Sequence, residues 1–201
     1  MIRLIMDTSN QYLMVALYQD DQCLEVKQEM GSKRQSENAI PYLASLLEKH
    51  HLELLDVEEM IITRGPGSYT GVRVAMTIAK TLSVVAPVKI KVVSSLAAYA
   101  GLQKCVSVID ARSQKVFVCV YDQGQAITSE QLMPIDDFSH FIENYPYYCV
   151  VGQSEVVHYP MTTVNLAQNM YDLSKMIEPV ENVDALVPYY LKDVEAKKIC
   201  L

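Results

Sequence analysis

A glycine-rich segment carries the most specific chemistry in this sequence. It reads GPGSYTGVR over Gly65–Arg73, between a short apolar run and a stretch with helical spacing. Its glycines permit a tight turn and close approach of another chain or a ligand, and N–H groups at the start of the next helix could bind an anion. A Walker loop would need Lys-Ser/Thr after the last glycine, and the GxGxxG spacing of dinucleotide folds is also missing. Two interpretations stay open: a turn without a ligand, or an anion contact through Gly65, Gly67, Ser68, Thr70 and Arg73.

Two carboxylates follow predicted strands. Asp7 comes after the apolar run Ile2–Met6, and Asp110 comes after the run Cys105–Ile109. A carboxylate in such a place can orient a metal-bound nucleotide, or it can accept hydrogen bonds from the backbone of the turn. The turn role is favoured from the sequence, and the nucleotide role is the alternative.

The histidines show no metal-binding pattern. They are His50, His51, His140 and His158. Because neighbouring residues on a helix point about 100° apart, His50 and His51 cannot present the same-face pair of HxxxH or HExxH. No GxSxG elbow or Ser/His/Asp grouping is visible either. We therefore predict no metal site and no catalytic residue in this chain.

Two predicted helices present more apolar surface than one sheet can cover. The helix after the glycine-rich segment has a small residue at every fourth position, and a helix around Ala39–Leu47 has two apolar stripes. Small residues let another backbone come close, whether it belongs to the protein's own sheet or to a partner. We predict a partner surface of Ile40, Leu43, Leu47, Gly71, Val74, Ala75, Ile78, Ala79 and Ser83. Packing in the internal core is the alternative.

These segments lie in a chain whose two halves both begin with strands. The first half predicts the order β-β-β-α-β-α-β-α, and strands start again at Cys105. A constant offset of 103 positions aligns Asp7 with Asp110 and Gln11 with Gln114, which indicates a duplication. We predict two similar α/β lobes, 1–102 and 103–201, with a cleft between them. Further helices are predicted at Ile135–Tyr145 and Leu166–Ile177.

The composition favours a soluble protein that does not bind nucleic acid by itself. Half of the 201 residues are apolar, and the formal net charge is −7. Such a charge disfavours binding to a phosphate backbone, and the basic residues Lys192, Lys197 and Lys198 form only a weak cluster. Five cysteines without a CxxC pair indicate neither a disulfide framework nor a zinc site. Since no apolar run approaches the roughly 18 residues of a membrane span, we expect a cytoplasmic protein without membrane contact.

Several motifs together resemble the TsaB (YeaZ) family. Besides the glycine-rich segment they include MDTS at Met6–Ser9, VSSLAAYA at Val93–Ala100, DAR at Asp110–Arg112 and PYYLK at Pro188–Lys192. They run in family order over nearly the whole chain. The resemblance implies a duplicated actin-like ATPase fold (ASKHA, ribonuclease H-like), and it implies a paralogue of the catalytic subunit TsaD. In that subunit an HxxxH motif binds the metal used to transfer threonylcarbamoyl to the adenosine next to the tRNA anticodon, and this sequence has no HxxxH.

The resemblance therefore implies a non-catalytic scaffold that activates a complex. It would pair with TsaD through its first two helices, work with the ATPase TsaE, and form a homodimer when alone. It implies indirect contact with tRNA, no cofactor held tightly by the chain itself, and ATP or ADP at an interface within the complex. The alternative is an active ATP-dependent kinase or metalloprotease of the same superfamily. Asp7-Thr8-Ser9 lacks the glycine usual after the first aspartate of such kinases, and the ligands of a metalloprotease are missing.

Overall fold

The computed structural model describes residues 1–30 and 35–191, apart from the side chains at 35 and 36. The weak basic cluster predicted at Lys192, Lys197 and Lys198 lies outside the described residues. Among the described helices, none has both the length and the apolar content needed to cross a membrane.

The first sheet combines an antiparallel meander with two parallel strands. Its order is β3-β2-β1-β4-β5. The strands are β1 (Ile2–Asp7), β2 (Tyr12–Gln19), β3 (Gln22–Met30), β4 (Val57–Thr63) and β5 (Lys89–Val93). β1 pairs antiparallel with β2 and parallel with β4, so it lies at the centre of the sheet. Apolar residues run almost continuously along β1 and β2 because both faces of these central strands are covered.

Helices cover both faces of this sheet. α1 (Gln35–Lys49) and α2 (Tyr69–Val85) pack on one face. The other face packs against α5 (Leu166–Ser174) from the second half of the chain, whereas α3 (Ser95–Ala100) packs mainly against the sheet of that second half. Serine side chains cap two of them. Ser68 Oγ accepts a hydrogen bond from the Gly71 N–H at 3.2 Å, and Ser94 Oγ accepts one from the Leu96 N–H at 3.1 Å. The glycine-rich segment thus joins β4 to α2, as the sequence predicts.

The second sheet repeats the plan of the first with shorter outer strands. Its path is β10-β6-β7-β8, and β9 also pairs with β7. The strands are β6 (Cys105–Arg112), β7 (Lys115–Asp122), β8 (Gln125–Ala126), β9 (Gln131–Pro134) and β10 (Cys149–Gly152). β10 lies parallel beside β6, as β4 lies parallel beside β1. The helices of this part are α4 (Phe138–Ile142) and α5 (Leu166–Ser174).

The predicted duplicated α/β architecture with two mixed sheets is confirmed. Moving the limits of β2 by 103 positions gives the limits of β7. The two hairpins differ in register by one residue, because Asp7 pairs with Met14 while Asp110 pairs with Val116. An irregularity in β6 between Asp110 and Arg112 produces this shift.

Two helices are shorter than predicted. The segment expected to form a helix over Ile135–Tyr145 forms a 3-10 turn at Ile135–Asp137 followed by the short α4. A helix reaching Tyr145 would place the residue before Pro146 in the helical region, which proline disfavours. α5 ends at Ser174 instead of Ile177.

Apolar residues of both lobes meet in one core. The buried apolar residues of the described ranges form three groups: one between the first sheet and α1 and α2, one under α4, and one between the lobes. The group between the lobes contains Ile5 of β1, Leu96 of α3 and Phe117 of β7. The lobes therefore share part of their core, and the boundary between residues 102 and 103 stays a prediction.

Candidate functional site

The glycine-rich segment packs on the turn between β1 and β2. A Cβ atom built on Gly71 would overlap the carbonyl oxygen of Thr8, and one built on Gly67 would overlap the carbonyl oxygen of Ser9. Hydrogen bonds join the same backbones: the Ser68 N–H donates to Ser9 O at 2.7 Å, and Thr8 Oγ1 donates to Gly71 O at 2.6 Å. The close approach that these glycines permit is thus used within the chain. An anion contact at this turn stays a prediction.

The carboxylate of Asp7 is buried beneath this turn. Its Oδ1 accepts hydrogen bonds from Ser9 N at 2.9 Å, Ser9 Oγ at 2.6 Å and Thr63 Oγ1 at 2.6 Å. Burial raises the pKa of Asp7, although the three donors act in the opposite direction. Ser9 Oγ also accepts a hydrogen bond from Ser95 Oγ at 2.9 Å, so this polar cluster ties β1, β4 and α3 together.

Asp110 occupies the matching turn of the second lobe. Its Oδ1 accepts a hydrogen bond from Arg112 N at 2.8 Å, and its Oδ2 lies 2.9 Å from Arg112 Nη1. The Asp110 N–H donates to Gln153 Oε1 at 2.7 Å, and Gln153 Nε2 donates to Gln11 Oε1 at 3.3 Å. Gln153 therefore links the backbone of Asp110 to the side chain of Gln11. The carboxylates of Asp7 and Asp110 both have partners within the chain.

Much of the predicted partner surface is internal core, which corrects the prediction from sequence. Leu43 and Leu47 are 7% and 6% exposed, and Ala75 and Ala79 are fully buried. These residues pack in the group between α1, α2 and the first sheet. Gly71 is also used internally, against Thr8. The small residues let α2 lie close to its own sheet, so the alternative of core packing is right for these five positions.

Three of the four remaining members of that set meet at a surface groove. These three, Ile40 of α1 and Val74 and Ile78 of α2, line a groove of about 410 Å³, although Ile78 is only 8% exposed and also packs in the core. We call this the α1–α2 groove, and its complete lining is Ile40, Tyr69, Thr70, Arg73, Val74, Thr77 and Ile78. Ile40 is 60% exposed, which is unusual for an isoleucine beside other apolar residues. Ser83, the last predicted member, is half-buried and lies outside this lining.

A segment near the end of the described chain contacts Arg64 and the groove residue Tyr69. The Tyr189 N–H donates to Arg64 O at 2.8 Å, and a Cβ on Gly65 would lie 2.6 Å from Tyr189 O. Tyr190 stacks on Tyr69 with ring centroids 5.4 Å apart. We call Val187–Leu191 the C-terminal strap. Sequence reasoning used PYYLK only as a family motif and missed this contact.

In the described part of the chain, no histidine joins a group of possible metal ligands. Within residues 1–30 and 35–191, no group of three or more His, Cys, Asp or Glu side chains could hold a metal ion. His50 Nε2 lies 3.0 Å from Glu25 Oε2, and His140 Nδ1 lies 3.2 Å from Glu143 Oε2 on the surface of the other lobe.

Comparison with known proteins places this architecture in a family. The model of the family described as "TsaD: tRNA N6-adenosine threonylcarbamoyltransferase" matches residues 26–147, more than half of the chain. A Bacillus subtilis relative named tRNA threonylcarbamoyladenosine biosynthesis protein TsaB is 34% identical over 136 residues, and the Escherichia coli protein of the same name is 28% identical over 129 residues. The chain belongs to this family, and the two relatives it resembles are named TsaB.

The extent of these matches differs between sequence and structure. The two TsaB relatives match 65% and 61% of this chain, and the chain spans only 59% and 55% of their lengths. A Pseudomonas aeruginosa crystal structure of a protein similar to peptidase YeaZ superimposes with a TM-score of 0.75 at 22% identity. That match covers 95% of this chain and 99% of the other, so the two proteins share their fold over nearly their full lengths.

Proposed function

We propose that this chain is a non-catalytic scaffold subunit for threonylcarbamoyladenosine formation in tRNA, and that a TsaD-type catalytic subunit binds its α1–α2 groove. The names of the Bacillus subtilis and Escherichia coli relatives supply the pathway. The family model supplies the class of partner. One contrast supports the scaffold role. The carboxylates of Asp7 and Asp110 are already bound within the chain, whereas the α1–α2 groove is open to a partner.

The turns leave little chemistry for a substrate. A nucleotide in an actin-like fold would need free donors and carboxylates where the two hairpin turns face each other. Here the carboxylate of Asp7 is buried under Ser9 and Thr63, and Asp110 is bound by Arg112. The backbone of Thr8 and Ser9 fills the space beside the glycines. This internal engagement supports a role that does not depend on catalysis by the chain itself.

The groove has the character of a protein-binding surface. Its apolar residues Ile40, Val74 and Ile78 lie beside polar Thr70 and Thr77, with Tyr69 and Arg73 at its edge. Aromatic residues and arginine are enriched in protein interfaces, where they contribute much of the binding free energy. A helix of the partner laid along α1 and α2 would cover these side chains and remove Ile40 from water.

The proposal includes the remaining components of a complex. TsaE is the proposed ATPase subunit, and ATP or ADP would bind at an interface of the complex and not to this chain alone. The formal charge of −7 supports contact with tRNA through the partners and not through this chain. In isolation the chain would form a homodimer through the same groove.

Calorimetric titration of the purified chain with ATP and Mg²⁺ tests the competing kinase function. Tight binding of ATP by the chain alone would favour that function.

A matched pair of substitutions on α2 tests the groove. Val74→Arg places a charge in the lining, while Val84→Arg places the same charge on the same helix at a position that is 80% exposed and outside the lining. We expect Val74→Arg to weaken binding to TsaD about tenfold or more and Val84→Arg to leave it within about twofold. Binding of both variants at the unmodified affinity would exclude the groove as the docking site. Ala79→Arg cannot test partner binding, because Ala79 is fully buried and an arginine there would disrupt the core.

A further inference from the structure

Arg73 is held in a fixed position at the edge of the α1–α2 groove. Its guanidinium carbon lies 3.8 Å from the ring centroid of Tyr69, which is a short cation–π contact. Its Nε donates a hydrogen bond to the Tyr190 hydroxyl at 2.9 Å. Tyr190 in turn stacks on Tyr69. The side chain is exposed, yet two aromatic residues from distant parts of the chain restrict it.

These contacts leave the charge of Arg73 unbalanced. Both tyrosines are neutral, and within the described part of the chain no carboxylate forms an ion pair with Arg73. None of the seven residues that line the groove carries a carboxylate. A partner that covers the groove must therefore supply a counter-charge, because a guanidinium removed from water without one is strongly unfavourable.

We propose that Arg73 recognises a carboxylate on the partner subunit, and that Tyr190 of the C-terminal strap is the positioning residue that holds it. The inference rests on the proposed function and names the chemistry of the partner surface: an apolar segment with an Asp or Glu side chain at its Arg73 end. With Nε bonded to Tyr190, the two terminal nitrogens of the guanidinium present the fork that binds a carboxylate through two hydrogen bonds.

The same charge pattern disfavours a second copy of this chain as the main occupant. In a two-fold dimer the same patch faces itself, so the groove of one copy would meet the groove of the other. Both grooves would bring an arginine and neither lining would bring a carboxylate. A different protein that places an acidic residue opposite Arg73 avoids the repulsion between two arginines. Binding to the TsaD-type subunit is therefore expected to be tighter than self-association.

Tyr190 acts by lowering the entropy that Arg73 loses on binding. A long exposed side chain normally gives up several rotamers when it enters an interface. Here the stack on Tyr69 and the hydrogen bond to Tyr190 have already ordered it. The strap is fixed independently, since Tyr189 binds Arg64 O and Arg64 lies 5.3 Å from the Tyr189 ring centroid.

Binding of full-length variants to TsaD at two salt concentrations tests the proposal. At about 0.05 M NaCl we expect Arg73→Gln to weaken binding about tenfold or more and Arg73→Lys to restore only part of it. Raising the salt to about 0.5 M should weaken binding of the unmodified chain and change binding of Arg73→Gln much less. Lys89→Gln removes one exposed positive charge outside the groove and is the matched control, expected to bind within about twofold.

Tyr190 has its own pair of variants and its own readout. Tyr190→Phe keeps the ring and loses the hydroxyl, so we expect weaker binding that retains the salt dependence of the unmodified chain. Tyr190→Ala should weaken binding further. Tyr147→Ala removes an exposed tyrosine outside the groove and should have no effect. Circular dichroism and urea unfolding of each variant establish that the fold is intact.

The outcomes separate this inference from the proposed function. If the unmodified chain does not bind TsaD, the proposed function fails and this inference fails with it. If the unmodified chain binds but Arg73→Gln binds equally well, or Lys89→Gln weakens binding as much, only the role of Arg73 is overturned. If Arg73→Gln weakens self-association as much as it weakens TsaD binding, a second copy satisfies the charge and the proposed acidic partner is wrong.

Discussion

Gly71 of α2 lies directly against the carbonyl oxygen of Thr8 in the turn between β1 and β2. The Thr8 hydroxyl also donates a hydrogen bond to Gly71 O, so both the backbone and the side chain of Thr8 contact Gly71. The first turn of α2 is thereby fixed on the turn that contains Asp7 and Ser9. The same helix carries Arg73 and Val74 to the groove, so this contact sets the position of one groove wall.

Replacing Gly71 with alanine should reverse the usual effect of that change in a helix. Glycine to alanine in an exposed helix stabilises a protein by up to about 1 kcal/mol. Here the new Cβ would overlap Thr8 O, and the backbone atoms involved cannot move independently. We expect a loss of about 1–3 kcal/mol in the free energy of unfolding. Urea unfolding measures it, with Ser83→Ala on the same helix as a control, and a more stable Gly71→Ala variant would show that the contact is not tight.

Glu59 balances two positive charges that are largely removed from water. Its carboxylate lies 3.0 Å from Arg3 Nε and 3.3 Å from Lys91 Nζ, across three neighbouring strands. Glu59→Gln would leave two nearly buried cations without a counter-charge, so we expect the free energy of unfolding to fall by about 3 kcal/mol. Glu58→Gln alters a carboxylate that is 55% exposed on the same strand, and it should cost less than about 1 kcal/mol. Equal effects of both changes in thermal unfolding would contradict this role of Glu59.

The buried carboxylate of Asp7 should give a characteristic pH dependence. Burial raises its pKa in the folded protein above the ordinary value of 3.8, so ionisation favours the unfolded state. Relative to Asp7→Asn, the unmodified chain should be most stable below pH 3.8 and lose stability as the pH rises through the raised pKa. Asp21 and Glu25 have lowered pKa values and act in the opposite direction, but both proteins contain them and the difference cancels their effect.

Urea unfolding of the two proteins at a series of pH values measures this difference. A difference that stays constant, or that grows in favour of the unmodified chain as the pH rises, would show that Asp7 is not destabilised by burial.

Cys105 and Cys149 should differ sharply in reactivity although they are paired in register on neighbouring strands. Cys149 is exposed, whereas burial raises the pKa of the Cys105 thiol to about 12. Because the thiolate is the reactive form, a maleimide should label Cys149 in the folded protein and leave Cys105 unmodified. Peptide mass spectrometry before and after unfolding in urea measures both sites. Labelling of Cys105 at the rate of Cys149 in the folded chain would mean that the strand opens.

The sequence by itself determined the repeated architecture. Alternating and continuous apolar runs mark the strands, and the offset of 103 aligns β2 with β7 because equivalent hairpins bury equivalent positions. The serine caps and the glycines of the turn before α2 also have local causes, since a cap and a tight backbone contact each require a particular residue type. The family was recognisable from the same motifs.

Only the tertiary structure decided which side of α2 is free. Its sequence contains a stripe of small residues and a second apolar face, and periodicity alone does not say which of two such faces meets the sheet. Packing buries Ala75 and Ala79 and leaves Val74 in the groove. The contact of Arg73 with Tyr190, 117 residues away, depends on where the C-terminal strap returns to the fold. Local residue preferences do not predict the position of the C-terminal strap, because the packing of both lobes determines it.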